Sequence, residues 1–89
     1  MMRASNPSAE ITALNALAFL AQSQDVIDRF VQTSGIDPAD LRHRAGDADV
    51  LAAVLDYLLA DDTLLTAFCE AHSLGPRDVH LARRAVGGE

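Results

Sequence analysis

A chain of 89 residues, 49% hydrophobic and only 22% charged, is too apolar to be disordered and too short to hold more than one core. Its formal net charge of −6, with arginine supplying every lysine-type cation, argues against a protein whose main work is holding nucleic acid. One cysteine, Cys69, excludes an internal disulfide framework and fits a reducing compartment, so a soluble, cytoplasmic protein is expected.

No apolar run reaches the roughly 18–20 residues that a membrane-spanning helix needs. The segment 11–21 has the apolar character of a signal-peptide core, but Glu10 and Asn15 interrupt it, and an ordinary structural role, like that of its counterpart Asp49–Leu59, is the better reading. In chain order, residues 1–6 are expected to form a flexible tail, with Asn6-Pro7 capping and opening a first helix that runs to about Gln22. Ser23 can cap a second helix whose apolar residues Val26, Ile27, Phe30 and Val31 fall on one face, and Gly35 stops it. Asp37-Pro38-Ala39-Asp40 starts a short third helix, which Gly46 ends.

Asp47 is placed to cap a fourth helix with the broad stripe Val50, Leu51, Val54, Leu55 and Leu58. Asp61 caps a fifth carrying Leu64, Leu65, Phe68 and Cys69, and Gly75-Pro76-Arg77-Asp78 opens a sixth that fades into a tail at 87–89. No stretch alternates as a strand does. The expected fold is therefore all-α, a compact bundle of about six short helices in a single domain over 7–86.

The two halves of this pattern match. At an offset of 38 positions, Leu17 falls on Leu55, Leu20 on Leu58, Phe30 on Phe68, Pro38 on Pro76 and Asp40 on Asp78. Apolar character also matches, Phe19 with Tyr57 and Leu41 with Val79 among others. The chain thus reads as two tandem three-helix repeats, about 7–46 and 47–86, which bury their apolar faces against each other.

The repeat serves as an internal control on candidate chemistry. Cys69 and His72 stand at i, i+3, a spacing at which two ligands can share a metal, with His80 as a third. Their repeat counterparts are Val31 and Ser34, which points to a buried thiol beside a helix-terminal imidazole. The acids Asp47, Asp49, Asp61 and Asp62 fail the calcium-loop pattern, since Ala52 and Leu58 stand where Gly and Glu are required. With no phosphate loop, nucleophile elbow or zinc helix, neither catalysis nor a cofactor or metal is expected.

Two surfaces remain. The first helix is apolar on two sides: Ala13, Ala16, Leu17 and Leu20 on one, Ile11, Leu14, Ala18 and Ala21 on the other. Either it is the central helix of the bundle, or its second side binds a partner protein or a second copy through Ile11, Leu14, Ala18 and Phe19. The last helix carries Arg77, His80, Arg83 and Arg84, the basis of an alternative helix-turn-helix-like reading in which it contacts nucleic acid. Asp78 on that helix and the acidic total weigh against it.

The run 13–21, A-L-N-A-L-A-F-L-A, the block Gly35-Ile36-Asp37-Pro38-Ala39-Asp40-Leu41-Arg42 and the segment Leu51 to Asp62 resemble the domain-of-unknown-function family numbered 3572, short proteins of alpha-proteobacteria. The resemblance covers roughly residues 9 to 86. It implies a stand-alone helical protein and carries over no catalytic residue. The reading is a small, non-catalytic interaction or adaptor domain, self-associating through its first helix or binding another protein there.

Overall fold

The computed structural model describes residues 7–86, and the two expected tails at 1–6 and 87–89, with the Asn6 cap, lie outside them. Six helices follow in order: α1 (Pro7–Ala21), α2 (Gln24–Ser34), α3 (Pro38–His43), α4 (Ala48–Leu59), α5 (Asp62–His72) and α6 (Pro76–Ala85). Among the described residues there is no strand.

Most of the helix boundaries follow from local capping chemistry. Ser23 and Asp61 stand in extended backbone and accept from the amides of Val26 and Leu64, and Asp37 accepts from Ala39 at 2.9 Å. Gly35 closes α2 at φ 76°, donating its N–H to Val31, a left-handed conformation that a side chain resists. Ser73 closes α5 in the same region, at φ 57°, although it is not glycine. The Asp78 carboxylate accepts from the Gly75 N–H at 2.8 Å and so fixes the entry to α6.

One boundary and one capping bond differ from expectation. The third helix ends at His43 rather than Gly46, because Arg44 has already left helical geometry. Asp47 takes the N-cap position of α4, but its carboxylate is drawn to the Arg44 Nε at 2.9 Å, where an ion pair outcompetes the backbone amides.

The core is aliphatic and centred on α4, which buries Val50, Leu51, Val54, Leu55 and Leu58. Against it α1 lays a row of small residues, Ala9, Ala13 and Ala16, ending in Leu20. These recur every three or four positions, one helical face, and the alanines let the backbones come close. α6 packs on both α1 and α4 through Val79, Ala82 and Val86. Ala52 of α4 is buried as well. α3, of only six residues, contributes Leu41 and lies at the periphery.

Two edge-on aromatic pairs tie the halves together. Phe19 of α1 meets Phe68 of α5 at 5.5 Å between centroids, and Phe30 of α2 meets Tyr57 of α4 at 5.4 Å. The four residues are reciprocal under the 38-residue offset, 19 with 57 and 30 with 68.

The thinnest dimension of the molecule is 17 Å. On the side of α1 opposite its buried row, Ile11, Leu14, Asn15 and Ala18 are exposed, so no third layer covers the outside of α1. This geometry decides the ambiguity of the first helix: it is not sheathed on all sides.

Candidate interaction face on the first and last helices

Ile11, Leu14 and Ala18 project from the uncovered side of α1, with Ile11 58% exposed and Leu14 42%. Phe19, the fourth anchor expected there, is half-buried and turned to the flank of α1 against Phe68, where an edge-on ring contact offers more than solvent does. Leu81 of α6, a residue for which the sequence offered no signal, is 46% exposed. Ile11, Leu14 and Leu81 are the large exposed apolar side chains of the described residues; Ile11 and Leu81 line one groove between α1 and α6, and Leu14 lies one turn further along α1. Between α1 and α6 a shallow groove is walled by Ile11 and Thr12 on one helix and Leu81 and Asp78 on the other, with Leu74 at its end.

Electrostatics shape this face. From Ile11 to Gln24 the chain carries no charged residue, so the α1 edge is neutral. The α6 edge carries Arg77, His80 and Arg84, all exposed, and neither Arg77 nor Arg84 makes an ion pair among the described residues. Arg83, grouped with them in the nucleic-acid reading, points elsewhere. Its Nε donates to Asp56 of α4 at 2.7 Å and its Nη1 to the Val86 carbonyl at 3.2 Å, which locks α6 onto α4. Of the four residues of that reading, three are exposed without an ion pair among the described residues and one is a structural tie.

The other polar clusters are occupied within the fold. Arg44 bridges Asp47 and Asp49, and its hydrogen bond holds the Asp49 carboxyl below the usual carboxylate range. Cys69 is buried; loss of solvent chiefly, and the Asp78 charge in addition, push its thiol upward, away from the reactive thiolate. The His72 ring lies 4.7 Å from that of Phe68. Among the described residues no three His, Cys, Asp or Glu side chains are grouped to hold a metal ion. A second groove, between α1, α2 and α3, is floored by Leu17, Ile27, Val31 and Leu41 and carries both Asp28 and Arg42 on its rim. No helix among the described residues is long and apolar enough to cross a membrane.

No curated protein and no solved structure gives a significant match to this chain. A family profile, by contrast, matches residues 6–89, nearly the whole length, and its description is "Protein of unknown function (DUF3572)". The match spans all six helices, the uncovered α1 side and the arginine edge of α6, and the chain belongs to that family.

Proposed function

We propose that this protein is a small, non-catalytic interaction domain that binds another protein through the face formed by α1 and α6. The observation that carries the reading is the exposure of Ile11 and Leu81 across one groove, with Leu14 exposed one turn further along α1. Scattered exposed apolar residues are ordinary; two facing each other across a groove, with a third one turn along the same helix, form the apolar centre that an interface needs. The acidic remainder keeps the protein dispersed, and a single buried cysteine suits work in the cytoplasm. We also read the chain as two tandem three-helix units, supported by the 38-residue offset and the reciprocal aromatic pairs.

The test is affinity capture from the native cell with wild type and with Leu14→Asp/Leu81→Asp. A protein retained by wild type and lost by the folded double variant is the expected result; an identical set on both contradicts the reading. Salt-sensitive DNA binding, lost on Arg77→Glu/Arg84→Glu, would move the assignment to the nucleic-acid alternative.

A further inference from the structure

Resting on the interaction face just proposed, we infer the chemistry of its occupant: an amphipathic helix of a partner protein, with acidic residues along one edge of its apolar stripe. The face has a built-in asymmetry. Its α1 edge is uncharged from Ile11 to Gln24, while its α6 edge presents Arg77 and Arg84 on either side of Leu81. Those two arginines are seven positions apart, two helical turns or about 10.5 Å along the axis. Acids spaced by one heptad on an opposing helix match that interval, with the apolar stripe between them seated over Leu81 and Ile11.

Asp78 lines the groove itself and keeps its charge while accepting from the Gly75 N–H, so the cationic edge is the outer one, on the side of Leu81 away from Asp78, where Arg77 and Arg84 stand. The two guanidinium groups are thus cationic donors without acidic partners among the described residues, on a molecule of net charge −6. Beyond about 8–10 Å salt screens the global repulsion, so the local pair of charges governs an acidic edge at contact.

A second copy fits this face poorly. A two-fold arrangement that lays α6 on α6 sets the arginines near the same arginines, and one that lays α6 on α1 sets them against a neutral edge, with Asp78 as the one acid of each groove wall for four guanidinium groups. An anionic bilayer is the other surface that takes arginine beside leucine, but two cations on a net-acidic protein offer little attraction.

The experiment uses the full chain and three labelled helical peptides of about 18 residues. They share one leucine stripe and carry Glu, Gln or Lys along the same edge. Fluorescence anisotropy is expected to show the Glu peptide binding about tenfold more tightly than the Lys peptide at low salt, with the gap narrowing as salt rises. Arg77→Glu/Arg84→Glu, checked for unchanged circular dichroism, should reverse the preference, and Arg77→Gln/Arg84→Gln should erase it. Equal binding of all three peptides, or tighter binding of the Lys peptide, overturns the charge assignment while leaving the apolar face in place. No binding of any peptide up to millimolar concentration overturns the face as well. A monomer–dimer equilibrium abolished by Leu14→Asp transfers the face to a second copy, and co-sedimentation with phosphatidylglycerol vesicles transfers it to a membrane; either result refutes the inference.

Discussion

Replacing Leu14 and Leu20 by aspartate puts the same charge on opposite sides of one helix, and the consequences should differ widely. Leu14 is 42% exposed, so somewhat over half of its side chain is covered. Full burial of a leucine is worth about 1.5–3 kcal/mol, so the covered part contributes roughly 1–1.5. Lower helix propensity adds up to about 0.5. Leu14→Asp is therefore expected to cost about 1.5–2 kcal/mol. A chain of this length holds roughly 5–13 kcal/mol in total and loses about 4–8 °C of Tm per kcal/mol, so the variant should melt cooperatively some 6–15 °C lower. Leu20 is 0% exposed and packs in the main core. Leu20→Asp forfeits the whole transfer term, leaves a cavity and drives a carboxylate into apolar surroundings, about 5 kcal/mol or more. That variant should not fold. Far-UV circular dichroism melts of both variants beside wild type decide the matter. Loss of the cooperative transition in Leu14→Asp, or similar melts for the two, would refute the assignment of an outer face to α1.

Three further outcomes follow from particular contacts. Arg83→Gln removes the tie to Asp56 and the bond to the Val86 carbonyl and should cost about 1 kcal/mol, the pair being partly exposed; a double-mutant cycle with Asp56→Asn giving no coupling would contradict that tie. Ser73→Gly relieves a left-handed residue worth about 1–2 kcal/mol, offset by about 0.4–1 of unfolded-state entropy, so Tm should rise by a few degrees; a fall would show that serine is at ease there. Cys69 has its thiol pushed up by burial, so the unfolded chain ionises first as pH rises, and the stability held below about pH 8.5 drains away above it. Wild type should therefore lose Tm between neutral and alkaline pH more steeply than Cys69→Ala, and parallel curves would contradict the burial.

The helices themselves were legible in the sequence because their ends are local events: Ser23, Asp37, Asp61 and Gly35 act on amides and carbonyls a few positions away. The use of each face was less legible. Periodicity put Ala13, Ala16, Leu17 and Leu20 on the inward side of α1, as found, but could not say whether its second apolar side was covered too, since that depends on how many helix layers the chain builds. Phe19, expected among the anchors of the outer side, is half-buried because its ring partner, Phe68, lies 49 positions away on another helix. Arg83 was grouped with its helical neighbours for the same reason, its acid being on α4, 27 residues earlier. Leu81 gave no signal at all. A single leucine between His80 and Ala82 becomes notable only when folding sets it beside Ile11.

The central claim, that the α1–α6 face meets a partner protein, is tested most directly by photocrosslinking in the native cell. Benzoylphenylalanine placed at Leu14, at Leu81 and at Thr66, an exposed position on α5, reports contact at each site separately. The account predicts one and the same protein adduct from positions 14 and 81 and none from 66. No adduct at 14 and 81, or the same adduct from all three, would contradict it.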